Sequence, residues 1–161
     1  MSWQGLNFDF TGVVFDGGNF HEAQFSSGTV LFAGAEFSGG RVDFHWAVFS
    51  GGGIVFDNAR FSGGWVDFDR AVFSGGQVRF LNAEISGGQV SFDHAEFSGG
   101  QVRFPGTRFS GGQVSFADAV FSGGQVDFSR ANDWSRPPTF PWTDTPPPGV
   151  VLPGKEDQSQ V

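Results

Sequence analysis

Residues 37–60 read FSGGRVDFHWAVFSGGGIVFDNAR, and the tetrapeptide that opens the stretch returns at Phe49, Phe61, Phe73, Phe97, Phe109 and Phe121. At Ile85 only the aromatic is replaced. The repeat is therefore F-S-G-G-x-V-x-F-x-x-A-x, 12 residues long, with a second Phe at 44, 56, 68, 80, 92, 104, 116 and 128. Two residues before each Phe stands a small residue: Val42, Ile54, Val66 and Val78 in one half, Ala47, Ala59, Thr107 and Ala119 in the other. V-x-F and A-x-F alternate with period two, the mark of a strand that buries one face. Each strand is about three residues long, and Gly-Gly interrupts any helical spacing through residue 132.

Strands this short cannot bury a face alone. Stacked coil on coil, each Phe lies above the Phe of the next layer and main-chain groups pair along the stack. The expected fold is all-β, a right-handed parallel β-solenoid, since parallel crossovers are almost always right-handed. Pro105-Gly106 before Thr107 suits a type II bend, with positive φ at Gly106. Gly34, Asn58, Asn82 and Asp118 stand at the equivalent place and tolerate that conformation. Trp46, Arg70, His94 and Arg130 stand there too, so some corners are expected to differ in type.

Before residue 37 the rhythm is simpler: Phe10, Phe15, Phe20 and Phe25 are five apart. Ala35-Glu36-Phe37-Ser38-Gly39 and Ala95-Glu96-Phe97-Ser98-Gly99 then show a five-residue unit of small residue, polar residue, large central residue, Ser and Gly. Over residues 8–132 the chain resembles the pentapeptide-repeat family in a Phe-rich bacterial form, with two residues inserted in alternate units. The resemblance implies a four-sided coil of about 24 residues. A flattened two-sided coil of 12 residues is the rival. Outward residues agree better at a separation of 24 than of 12 (Asp43/Asp67, Arg79/Arg103, Ser91/Ser115), which favours four sides.

Composition bounds the rest. The chain has 161 residues, 22 Phe, 26 Gly, no Cys and a formal charge of −8. Without Cys there are no disulfides, thiolate metal sites or cysteine nucleophiles. That much aromatic content opposes disorder. No apolar run is long enough to span a membrane, and the first residues lack the pattern of a secretory leader, so a cytoplasmic protein is expected. Three segments are read: an N-terminal cap over 1–7 with Trp3 and Leu6, the solenoid over 8–132, and a Pro-rich C-terminal cap and tail over 133–161. Trp134, Phe140, Trp142, Val150, Val151 and Leu152 favour roughly 133–152 as a cover for the open end of the stack, where edges must be protected, over the alternatives of a mobile linker and of a docking peptide at Pro138–Pro141, which fits P-x-x-P. Lys155–Gln160 is expected to be disordered.

No constellation of groups supports catalysis, so the chain is expected to be no enzyme and to need no cofactor. His21 and His45, with Glu22, are 24 apart and read as surface histidines before metal ligands. Asp67 and Asp69 flank Phe68 without an environment that would make a proton donor. The Ser ladder from Ser38 to Ser122 has no base beside it and reads as turn hydrogen bonding. Gln77, Gln89, Gln101, Gln113 and Gln125 read as an amide ladder, and the Gly-Gly units lack the Lys-Ser/Thr of a phosphate cradle.

The expected function is a scaffold or interaction module for an unidentified protein partner, with Trp46, Val48, Val55, Trp65, Val72 and Leu81 as candidate contacts. The alternative is a DNA-mimicking binder of a type II topoisomerase (gyrase), which the family resemblance suggests. Against it, residues 37–132 carry nine acids and seven arginines, and duplex mimicry calls for acidity along the length. Neither nucleic acid nor membrane is an expected partner, and end-to-end stacking of two copies offers a route to a homodimer.

Overall fold

The structure, a computed structural model, describes residues 5–154. Trp3 and Lys155–Gln160, both read above from the sequence, lie outside the described residues. Among the described residues there is no helix, hence none long and apolar enough to cross a membrane.

All strand pairs are parallel. Phe37 pairs with Phe61, Phe61 with Ile85 and Ile85 with Phe109, a step of 24 residues. The chain is a β-solenoid of about six turns, and the 12-residue coil, which would set Phe37 beside Phe49, does not form. The first coil is shorter. Phe8 pairs with Val30 and Phe15 with Phe37, a step of 22, because the two-residue extension is missing between Phe15 and Phe20.

Each coil has four sides. In the second coil they carry Val30/Phe32, Ala35/Phe37, Val42/Phe44 and Ala47/Phe49 inward, and all eight side chains are buried. We call the sides one to four in that order. Sides two and three form five-stranded sheets, whereas sides four and one join into a nine-stranded sheet. The junction is made by Val72–Arg79, Glu96–Arg103 and Val120–Asp127, strands of 8 residues that carry the ladder around the Ser-Gly-Gly corner. The expectation of three-residue strands therefore fails at these corners.

The core is built of ring columns. Phe20, Phe44, Phe68, Phe92 and Phe116 stack with centroids 4.7–4.9 Å apart and planes within 9° of parallel. Strand spacing of about 4.8 Å fixes that separation, and it suits offset stacking of aromatic faces. Columns meet edge to face, as Phe56 and Phe68 do at 6.2 Å and 86°. On side two Ile85 interrupts the rings but stays buried. Thr107 replaces Ala on the same side one coil further on, and its buried hydroxyl donates to the Phe80 carbonyl at 2.6 Å.

The two glycines of each Ser-Gly-Gly corner serve different needs. At Gly63 φ is ordinary, but a Cβ there would lie 2.4 Å from the Ser38 carbonyl of the coil below. Gly64 meets the backbone of Gly39 and Gly40 and also takes φ 68°. The expectation that some tight bends differ holds at one of the four places: Trp46 (φ 62°), Arg70 (58°) and His94 (56°) adopt the same left-handed conformation as Gly106 (67°), whereas Arg130, in the last coil, does not take a positive φ. Trp46, Arg70 and His94 lie in coils stacked on both sides, where a corner of another type would lift its coil out of register with its neighbours.

Residues 133–152 wind once more over the last coil. Asp133 bridges to Arg108 and Thr139 to Ser115, and Val150–Val151 pairs with Val126–Asp127. Phe140 stacks on Phe116 at 5.4 Å, while Trp134 and Trp142 set their edges against Phe109 and Phe121. At the other end Leu6, read as a cap residue, is 54% exposed.

Candidate interaction face

Side three and the bend that follows it carry the densest group of polar and aromatic side chains. The cause is a pair of hexapeptides in register on adjacent coils, Arg41-Val-Asp-Phe-His-Trp46 and Trp65-Val-Asp-Phe-Asp-Arg70. Arg and Trp occupy opposite ends in the two, so each Arg meets the Trp of the other coil. The Arg41 guanidinium lies 4.6 Å from the centre of the Trp65 ring, and Arg70 lies 5.4 Å from that of Trp46. A guanidinium at such distances from an indole is attracted by the ring's quadrupole. Both rings keep an open face: Trp46 is 48% and Trp65 39% exposed.

The acids between these ends are engaged. Asp67, 1% exposed, pairs with the Arg41 Nη2 and accepts the Asp69 backbone N–H at 2.9 Å. Arg41 also reaches Asp43 at 3.6 Å. Asp69 stands between two histidines, with Nδ1 of His45 at 3.2 Å and Nδ1 of His94 at 3.0 Å. Nε2 of His94 continues to Asp118 at 3.5 Å. His21 stacks on His45 at 5.5 Å and lies 3.4 Å from Glu22. Asp67 and Asp69 are therefore not a dyad: Asp67 is engaged by Arg41, and Asp69 by the two imidazoles and by Nε of Arg70 at 3.6 Å. Among the described residues no group of three His, Asp or Glu side chains is arranged to hold a metal ion.

Backbone conformation sets this edge apart. In the first five coils the bend after side one is occupied by Gly12, Gly34, Asn58, Asn82 and Gly106, all at positive φ and all suited to it; Arg130 ends the column without that conformation. The bend after side three holds Glu22, Trp46, Arg70, His94 and Asp118 at φ 55–62°. A non-glycine residue outside Asn and Asp pays about 1–2 kcal/mol for that conformation. Glu22, Trp46, Arg70 and His94 each accept the cost, and strain of this kind gathers at functional surfaces.

The six candidate contact residues do not form one patch. Trp46 and Trp65 belong to side three and its bend, and Val48 and Val72 pair in register on side four. Val55 pairs with Leu31 and Arg79 on side one, across the coil from Trp65, and Leu81 lies in the bend after side one. The 12-residue repeat is half a coil, so successive copies fall on opposite sides. For the same reason the Gln series splits into two columns, Gln77/Gln101/Gln125 and Gln89/Gln113. Gln89 Nε2 donates to Gln113 Oε1 at 3.4 Å.

Reading the sequence did not find Asp69 as a bridge between His45 and His94, nor the crossed Arg–Trp pairs. The second was signalled by Arg41 and Trp65, and by Trp46 and Arg70, standing 24 apart. A scan against protein-family models and a search of curated proteins each return no match to the chain.

Proposed function

We propose that the chain is a variant of the pentapeptide-repeat family that acts without chemistry of its own, as a rigid rod whose third side binds a protein partner. The observation that carries this reading is the choice of residues at the bend after side three. Glycine or asparagine would form it at lower cost, as at the bend after side one, yet it displays Trp46, Arg70 and His94. Trp and Arg are the residues that dominate binding energy at protein interfaces. Here neighbouring coils hold them in place, so little side-chain entropy remains to be lost on association. The paired acids and histidines around them give a polar rim to a centre of two indoles.

The test is affinity capture from source-cell lysate with the wild-type chain and with Trp46→Ala/Trp65→Ala, each checked for an unchanged circular dichroism spectrum. A protein retained by the wild type and lost or weakened at least roughly tenfold with the double variant is the expected result. Equal recovery of every retained protein discards the assignment of this face.

A further inference from the structure

Across the rod from the Trp face, side one and its bend enclose a cleft of about 430 Å³ lined by Arg79, Arg103, Pro105, Asp127, Ser129 and Arg130. The register explains its charge. Arg79 pairs with Arg103, and Arg103 with Asp127, on successive coils. Like charges set directly opposite on neighbouring strands repel, and other arginines of the array avoid this. Arg41 sits by Asp67, and Arg60 lies in register between Glu36 and Glu84. In the cleft only Arg79 has a carboxylate of its own, Asp57, which accepts its Nε–H at 2.9 Å and pairs with its Nη2 as well. Among the described residues Arg103 and Arg130 form no ion pair. Asp127, the register partner of Arg103, instead accepts the Ser129 backbone N–H at 2.8 Å. A chain of net charge −8 thus gathers three guanidinium groups around one concavity and leaves two of them without an ion-pair partner among the described residues.

We propose that this cleft binds the dianion of a small phosphate monoester. Guanidinium forks match phosphate oxygens in bidentate fashion. A phosphate carries about −1.5 to −2 charge and three acceptor oxygens at neutral pH, against one charge and two oxygens for a carboxylate, so it meets more of the N–H groups that Arg103 and Arg130 leave open. The volume falls within the range of small-molecule pockets, about 300–1,000 Å³, and leaves space for a substituent beside Pro105. The proposal is independent of the Trp face.

Calorimetric titration of the full chain at fixed ionic strength tests it, with phenyl phosphate as the probe and inorganic phosphate and benzoate as the other arms. Phenyl phosphate is expected to saturate one site with Kd below about 1 mM, with benzoate weaker by roughly tenfold or more and inorganic phosphate weaker than the ester. Arg103→Gln/Arg130→Gln, which removes no ion pair and keeps the circular dichroism of the parent, is expected to lose the binding; Trp46→Ala/Trp65→Ala is expected to retain it. The absence of a saturable heat with phenyl phosphate overturns the site, as does undiminished binding by the double Arg variant. Benzoate as tight as phenyl phosphate overturns the phosphate assignment, and inorganic phosphate as tight as phenyl phosphate overturns the monoester.

Discussion

Replacing Phe68 by Ala removes the middle of a ring column. Phe68 is 1% exposed, stacks on Phe44 at 4.8 Å and Phe92 at 4.9 Å, and meets Phe49, Phe56 and Phe73 at 6.1–6.2 Å. Loss of a buried Phe costs about 3–5 kcal/mol, more where the surroundings cannot collapse. Collapse is blocked here, because the backbone is tied on both sides: Phe68 N–H donates to Ser91 O and Phe44 N–H to Asp67 O, each at 2.7 Å. The cost should therefore lie near the top of the range, about 4–5 kcal/mol. In a chain of this size each kcal/mol lowers Tm by about 2–4 °C, so a fall of roughly 8–20 °C is expected. Phe20 occupies the same column in the first coil, is only half-buried, and stacks on one side alone, on Phe44. Phe20→Ala should cost less than the roughly 1.5–3 kcal/mol that full burial of such a side chain contributes. Urea denaturation followed by circular dichroism compares the two. Equal losses at the two positions, or less than about 1 kcal/mol at Phe68, would refute the layered packing that the figures assume.

Three further outcomes follow from individual contacts. Gly63→Ala should destabilise by more than about 1 kcal/mol, since its Cβ would stand 2.4 Å from a backbone oxygen; Gly53→Ala, with open space around its Cβ and no positive φ, should lie within about 1 kcal/mol of the parent in thermal melts. Arg41→Ala strands the buried carboxylate of Asp67 and should cost about 1–3 kcal/mol in urea titrations, whereas Arg60→Ala, on an exposed residue without an ion pair, should change stability by less than about 0.5 kcal/mol. Asp133 is held below the ordinary carboxylate value of 3.8 by the Ser135 hydroxyl and backbone N–H, with Arg108 adding its charge. Its contribution is complete above that value and is lost as the pH falls below it. The Trp134 indole signal in NMR spectra should accordingly report loosening of the C-terminal cover below about pH 4, with less change in Asp133→Asn.

The sequence made the layered core legible because the same ring recurs at a fixed period, and even Ile85 keeps the pattern. The length of the coil was harder to read. Its two 12-residue halves are nearly alike, so only outward pairs such as Asp43/Asp67 separate 24 from 12. The interaction face was legible as residue types but not as an arrangement. Val55 and Leu81 share a repeat phase with residues on the Trp side, yet half a coil turns them away. The approach of His94 to Asp69 joins residues 25 apart, one off the column register, and depends on a left-handed bend at His94 that propensity disfavours. Trp46 and Arg70 are bent against propensity in the same way. Local rules therefore misjudge the bends that display this face, because their conformation is imposed by the coils above and below.

A chain without cysteine allows the coil to be measured by trapping. Gln89 and Gln113 are register partners on adjacent coils, and neighbouring strands stand about 4.8 Å apart, within the Cα range of about 4.4–6.8 Å that a disulfide bridges. Gln77 and Gln89 fall on opposite sides of the rod. Under mild oxidation Gln89→Cys/Gln113→Cys should close an intramolecular disulfide, seen by mass spectrometry as the loss of two hydrogens, while Gln77→Cys/Gln89→Cys remains reduced. Ready closure of the 77/89 pair with an open 89/113 pair would contradict the 24-residue coil and the faces derived from it.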